Sequence, residues 1–479
     1  MKKGDVVELR IESYAFEGKG IARINKSELN HVSNADNKKY VIFVPHAYPG
    51  DVIRAKILKL KKTYGEAKIE EIIKPAEGRI VPECRYFGTC GGCKQQNLEY
   101  NLQLKYKEAQ VVEVFNRLGG FKNYSTEPIL PSEKIFYYRN KMEFSFSAKR
   151  WLTPSEIQSG EKIDAGFALG LHIPRMYDKV LDIEECFLQS SESNKILNAT
   201  RNFFKPRKTS VYSTKTHTGY LRNLVIRTSA HTHDLMVNLV TSEENDNLMR
   251  EYSEMLRKEI PAITTIINNI NLKKSQVAVG DYEKIYFGSG FIYDKIGKYK
   301  YRISANSFFQ TNTFQAEKLY SVAMEFAGFS GDEIVYDLYA GAGTITIFVS
   351  EMVAKVYGFE SVESAVKDAK VNCELNDVNN TEFITADLNK SFFPKVKELG
   401  LEYPDIIIAD PPRSGMNPKT VKDILKLQPR KIVYISCNPT TQARDIKLLA
   451  EGGYKLIKIR PVDMFPHTYH IENVALLVK

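Results

Sequence analysis

Residues 334–344, Ile-Val-Tyr-Asp-Leu-Tyr-Ala-Gly-Ala-Gly-Thr, decide how the rest of the chain is read. An apolar, β-rich run reaches Asp337, turns through Gly341 and Gly343, and gives way to a helical pattern over 344–354. A strand that ends in a glycine turn and opens a helix brings its backbone close to a nucleotide in α/β folds. Glycine supplies turn conformations closed to other residues and leaves room for a ligand. A tight strand-to-helix connection without a ligand would want the same glycines, so the weight lies in the residues beyond the turn.

Seventeen residues after Gly343 stands Glu360, at the end of the next strand-like run, Lys-Val-Tyr-Gly-Phe-Glu. An acidic residue about 20 positions beyond the glycine turn, at the tip of the second strand, is placed to accept both hydroxyls of a ribose. There is no third glycine, which favours an adenosine-type ligand over a nicotinamide dinucleotide. The strand pattern returns at 381–387, 405–410 and 431–437 with helical segments between. This alternation predicts an α/β fold, a doubly wound parallel sheet with its ligand at the carboxyl ends of the strands.

Outward from this segment, the chain has 479 residues, 43% of them hydrophobic, which is room for about two to four domains. A net charge of +9 suits a polyanionic partner. The first twenty residues lack the apolar centre of a secretory signal, and no apolar run is long enough to cross a bilayer. A cytoplasmic protein with no membrane attachment is expected. Six cysteines, three of them within ten positions, do not look like a secreted disulfide framework.

Residues 1–75 are expected to form a small all-β module, with strands at 5–13, 40–45, 51–59 and 65–73. Residues 54–62 carry five basic side chains and no acidic one, a pattern suited to tracking phosphates on RNA or, more plainly, to a solvated strand face. A central region, 76–300, opens with Cys84, Cys90 and Cys93, spaced to wrap one metal centre, with Cys186 as the candidate fourth ligand. Four thiolates suit a structural zinc or an iron–sulfur cluster, and spacing does not separate the two. Residues 101–118 read as a helix that could pack on the C-terminal domain, and 136–147 as a strand with a basic outer face. Gln310 stands near a helix start, where its amide could bond a ligand or cap the helix.

In the C-terminal domain, 301–479, three features meet at one sheet edge. The fourth strand ends in Ala-Asp410-Pro-Pro-Arg413, and the fifth in Ile-Ser-Cys437-Asn-Pro439. The last strand begins near Glu472; if it runs antiparallel, Glu472 lies at the same edge as Cys437. A thiol and a carboxylate there point to nucleophilic catalysis with a general base. Cys373, inside a helical segment, reads as a small buried apolar residue.

The stretches SANSFFQTN, DLYAGAGT, GFE, ADPPRSG, ISCNPTT and FPHTYHIENV resemble the S-adenosylmethionine-dependent RNA uracil-5-methyltransferases. The similarity covers nearly the whole chain, the first 75 residues resembling an OB-like TRAM barrel. The resemblance implies Cys437 as nucleophile and Glu472 as base. It implies Gln310, Tyr339, Thr344, Glu360, Asp387 and Asp410 as the S-adenosylmethionine site. It further implies that Cys84, Cys90, Cys93 and Cys186 hold a 4Fe-4S cluster, and that a monomeric enzyme acts on 23S ribosomal RNA. The alternatives are a transfer-RNA uracil enzyme, an RNA cytosine-5-methyltransferase, or a non-catalytic RNA-binding factor. The cytosine enzymes place a cysteine directly after the proline of the fourth-strand motif, and here that motif is Asp-Pro-Pro-Arg.

Overall fold

The computed structural model describes residues 1–15, 17–25, 39–174, 176–274 and 277–479. Its C-terminal sheet is built on seven long strands: β1 (Ile334–Leu338), β2 (Lys355–Glu360), β3 (Thr381–Thr385), β4 (Ile406–Ala409), β5 (Lys431–Ser436), β6 (Lys455–Val462) and β7 (Glu472–Val478). They lie in the order β3-β2-β1-β4-β5-β7-β6, and the two-residue strand Ser125–Thr126 adds to the β6 edge. The first five run parallel, while β7 enters antiparallel between β5 and β6. Chain order departs outward from β1 in both directions, so the crevice for a ligand opens at the carboxyl ends of β1 and β4.

Strand parity sorts the side chains into two cores. Val335, Ile406, Ile408, Val433, Ile435, Val474 and Leu476 face the helix Thr313–Ala327 and the hairpin Phe291–Ile296/Tyr299–Ser304. Tyr336, Leu338, Ile407, Tyr434, Ala475 and Leu477 face the other way, toward the helices Pro418–Leu427 and Pro439–Glu451. A sheet buried on both faces requires apolar residues at every position, which is why β4 reads Ile-Ile-Ile-Ala.

The second core also takes in Val111, Val114 and Phe115 of the helix Tyr100–Val114 and the π turn Phe115–Gly119 that extends it. This polar helix thus packs on the C-terminal sheet from far away in the sequence. Lys107, fully buried on it, donates to Asp463 Oδ1 at 2.6 Å. Removing one partner of such a pair leaves an uncompensated buried charge. Lys107→Met is expected to destabilise the protein by about 3–5 kcal/mol, read from denaturant midpoints at constant slope.

The central region forms an eight-stranded sheet with the helices Ser191–Phe204 and Asp246–Glu259 against it. Its strand Lys141–Ser147 begins later than the sequence pattern suggests. Residues 136–140 instead form bends, and the Arg139 N–H bonds the Leu188 carbonyl at 2.8 Å.

Among the described residues, the N-terminal sheet has six strands, Val6–Arg10, Ser13–Ala15, Lys19–Ile24, Tyr40–Pro45, Val52–Leu60 and Tyr64–Lys74. Two of these, Ser13–Ala15 and Lys19–Ile24, are too short or too glycine-broken to stand out in the sequence. The basic run is less bare than it reads. Arg54 lies opposite Glu71 and bonds it at 2.5 Å, and Lys59 lies opposite Glu66, whereas Lys56 meets Lys68. Cross-strand pairing therefore neutralises part of this face.

Candidate active site

The turn after β1 is built for close approach. Gly341 has φ 55°, and a Cβ there would meet nothing within 4 Å; Gly343 has φ 82°, and a Cβ would come within 2.9 Å of the Phe383 ring. One glycine thus faces open space and the other makes tight packing possible. Tyr339 takes φ 71° although it carries a large side chain, a conformation kept only where the surroundings impose it. Its N–H bonds the Phe359 carbonyl at 3.0 Å, and its ring packs toward the second core, so it borders the crevice with its backbone.

Glu360 ends β2. One carboxylate oxygen accepts from Gly341 N–H at 3.0 Å, the other from Ser361 N–H at 2.7 Å and Val362 N–H at 2.8 Å. The acid therefore orders the glycine turn. Asp387, just past β3, accepts from Asn389 N–H at 3.0 Å and faces Lys390 at 3.3 Å. The backbone N–H of Asn389, then Lys390, hold its carboxyl below the ordinary range.

Gln310 does not cap the following helix. Asn312 does, its side chain accepting from Gln315 N–H at 3.3 Å. Gln310 is left free to face Tyr320, whose hydroxyl lies 3.2 Å from Thr344 Oγ1 and close to Asp410 and Asp337. Tyr320, buried on the helix Thr313–Ala327, stands beside these groups without any mark in the sequence. It stands among apolar positions of helical spacing, where a tyrosine reads as core.

Parity now gathers the reactive groups. Asp337 alternates with Tyr336 and Leu338, so it faces the first core; Asp410 follows Ala409, Cys437 lies two beyond Ile435, and Glu472 two before Val474. Continuing each alternation puts all four on one face at the carboxyl edge. Ser436 pairs with Asn473, which sets Cys437 and Glu472 across from each other at the next position.

The electrostatics of this edge are lopsided. Burial pushes the carboxyl of Asp337 up to about 7 against a 2.6 Å hydrogen bond from Thr346 Oγ1, and its Oδ1 has no hydrogen-bond partner. Burial and then the charge of Asp337 push half-buried Asp410 up to about 7 as well. Glu472, 5% exposed, is raised well above the carboxylate range by burial and by Asp410, with Arg413 opposing. Burial, Glu472 and Asp410 push the Cys437 thiol up to about 12. A sheet edge crowded with carboxyls suits a cationic ligand.

These shifts carry a stability consequence. Folded values near 7 for Asp337 and Asp410 lie above the unfolded carboxyl value of about 3.9, so the fold retains protons that the unfolded chain has lost. The ligand-free protein is therefore expected to be most stable below about pH 4 on account of this pair, and to lose that contribution as pH rises through about 7. Thermal melts across this range should show a shallower slope for Asp337→Asn.

The four cysteines also converge. Cys84, Cys90, Cys93 and Cys186 line one cavity of about 890 Å³. Gly92 N–H points at Cys90 Sγ at 3.4 Å, and Gln96 Nε2 at Cys93 Sγ at 3.3 Å. Among the described residues, no group of three or more His, Cys, Asp or Glu side chains is disposed to hold a metal ion. Cys373 is buried, its Sγ 3.2 Å from Thr381 Oγ1.

Comparison with known proteins places this arrangement. The family profile described as tRNA (Uracil-5-)-methyltransferase matches residues 227–479, and the TRAM domain profile matches residues 1–69. An uncharacterized RNA methyltransferase of Chlorobaculum tepidum is 42% identical over 99% of this chain and 96% of its own. One from Bacteroides thetaiotaomicron is 42% identical over 97% and 99%. The crystal structure of the Pyrococcus abyssi tRNA (uracil-54, C5)-methyltransferase, in complex with S-adenosyl-L-homocysteine, is 30% identical. It superposes with a TM-score of 0.73, covering 98% of this chain and 99% of that one. The chain belongs to the tRNA (uracil-5-)-methyltransferase family and is an S-adenosylmethionine-dependent RNA uracil-5-methyltransferase with an N-terminal TRAM domain.

Proposed function

We propose that the enzyme methylates carbon 5 of a uridine in 23S ribosomal RNA through a covalent adduct between Cys437 and uracil carbon 6. The observation that carries the chemistry is the placement of Cys437 and Glu472 on one face of the sheet edge, opposite each other and beside Asp410. S-adenosylmethionine supplies an electrophilic methyl sulfonium. Gln310, Thr344, Glu360, Asp387 and Asp410 bind it with the backbone at Tyr339, Glu360 taking the ribose and the acidic pocket taking the positive charge.

Carbon 5 of uracil is a weak nucleophile. Addition of the Cys437 thiolate at carbon 6 turns the ring into an enolate whose carbon 5 can take the methyl group. Glu472 then removes the carbon 5 proton, and elimination frees the thiolate. With the thiol pushed up to about 12, the resting group is protonated; a bound cation offsets the carboxyl charges that raise it. A stacked base cannot reach Cys437, so the uridine is flipped into the pocket. The TRAM barrel supports the backbone of the RNA.

Four thiolates suit zinc as well as an iron–sulfur cluster. The family resemblance, together with the four cysteines lining one cavity, favours a 4Fe-4S cluster. Cys84, Cys90, Cys93 and Cys186 would hold it in a structural role. The ribosomal target rests on resemblance: among family members, one with both a TRAM barrel and such a cysteine set most resembles the 23S ribosomal RNA enzyme. We take the enzyme to act as a cytoplasmic monomer; among the described residues no helix is long and apolar enough to cross a membrane.

The likeness to a transfer-RNA enzyme keeps a second substrate in view. Mass spectrometry of ribosomal and transfer RNA from cells with and without the gene separates them. Loss of 5-methyluridine from a 23S position is the expected result. Loss from transfer RNA alone would overturn the target and keep the chemistry.

A further inference from the structure

The chain between β6 and β7, residues 463–471, has no regular structure, yet it delivers Glu472 to the site. Residues from the front of the chain hold it. Lys107 Nζ donates to Asp463 Oδ1 and, at 3.1 Å, to the Phe465 carbonyl; Tyr100 Oη donates to Asp463 Oδ2 at 2.9 Å. Tyr138 Oη donates to the Pro466 carbonyl at 3.1 Å. The N–H groups of Lys94 and Gln95 both donate to the His467 carbonyl, at 2.7 and 3.0 Å.

Gln103 closes the arrangement. Its Nε2 donates to the carbonyls of Gln95 at 3.0 Å and Leu98 at 2.8 Å, and its Oε1 accepts from His467 N–H at 2.9 Å. One fully buried amide thereby ties the turn after Cys93 to the peptide of His467. His467 adopts φ 64°, a left-handed conformation that a residue other than glycine holds where its neighbours impose it.

We propose that Gln103 is a positioning residue for the deprotonation step: by anchoring the His467 peptide to the turn after Cys93, it sets where the Glu472 carboxylate stands. The inference rests on the Cys437 and Glu472 roles given above. Sheet pairing alone leaves room for it. Asn473 is paired on both sides, with Ser436 and Pro461, whereas Glu472 is paired only with Val462. The register of Glu472 comes from the sheet, and its approach to the base from the segment before it. In the step concerned, the carbon 5 proton passes to Glu472, the C5–H electrons form the C5–C6 double bond, and the C6–Sγ bond breaks to return the thiolate. A displaced Glu472 leaves addition and methyl transfer intact and stalls the methylated adduct. Because Lys94 adjoins Cys93, order in the cysteine loop and placement of the base are linked.

The test uses the full-length protein, methyl-labelled S-adenosylmethionine and total RNA from cells lacking the gene. Gln103→Met is expected to keep first-turnover methyl transfer, to lower steady-state turnover on the order of tenfold or more, and to accumulate a denaturation-resistant labelled protein–RNA adduct. Tyr138→Phe, which keeps the ring, is expected to shift the same partition less, and it decides the matter should Gln103→Met fail to fold. First-turnover and steady-state rates falling together without adduct, or an unchanged partition in both variants, would overturn the proposal. Glu472→Gln serves as reference: adduct there and none in Gln103→Met rejects the positioning role alone, while none in either rejects the base assignment beneath it.

Discussion

Cys437→Ala is expected to abolish uridine methylation, lowering turnover on the order of 10⁴-fold or more, and to eliminate any protein–RNA adduct. The expectation stems from the role proposed for the thiol, since without addition at carbon 6 no electrons are made available at carbon 5. Positioning of the uridine beside the sulfonium cannot substitute for that electronic change. The side chain is half-buried at a strand end, so its truncation costs little packing, and the fold should be retained. Retained binding of S-adenosylhomocysteine, measured by calorimetry, checks this. Methylation by the variant at the wild-type rate would sink the mechanism.

Glu472→Gln is expected to separate the two halves of the reaction. The amide is nearly isosteric and neutral, so addition and methyl transfer proceed while proton removal fails. Steady-state turnover should fall about 10²–10⁴-fold, the usual contribution of a positioned base. The methylated adduct should build up to a large fraction of the enzyme in a single turnover, visible on a denaturing gel. The pH profile carries the same signature. Burial and Asp410 raise the carboxyl of Glu472 well above its ordinary range, and burial with Glu472 and Asp410 raises the thiol to about 12. In the proposed reaction both groups work in their ionised forms, so first-turnover methyl transfer should climb with pH through the thiol, and wild-type kcat through Glu472 as well, a dependence that Glu472→Gln should lose. A variant that turns over normally, or that forms no adduct, would assign proton removal elsewhere.

Much of the C-terminal sheet is legible in the sequence because buried parallel strands are written as apolar runs. β1, β2, β4 and β5 can be marked from composition, with Asp410 and Cys437 at the ends of β4 and β5. β6 does not stand out, since Lys455–Val462 lies beside the sheet edge and mixes lysine and arginine into its pattern. Gln310 is recognisable as standing at a helix start, yet the capping role goes to Asn312, because a cap depends on backbone geometry at one position. Tyr320 is hidden for a different reason: a buried hydroxyl beside Thr344 looks in sequence like any aromatic on an apolar helix face.

The sequence by itself determined the family, the strand-turn-helix around Gly341 and Gly343, and the thiol and carboxylate that the proposed reaction uses. Those features are local, and local spacing and chemistry record them. Only the tertiary structure decided that Glu472 lies across from Cys437, because the antiparallel insertion of β7 between β5 and β6 is a choice of sheet order. It brings Cys186, singled out in the sequence, to one cavity with three cysteines some hundred residues earlier, and it alone decided that Lys107 and Gln103 reach segment 463–471 from the other end of the chain. Contacts so far apart in sequence leave no periodic trace, since each arises from which buried polar group finds a partner once the layers have closed.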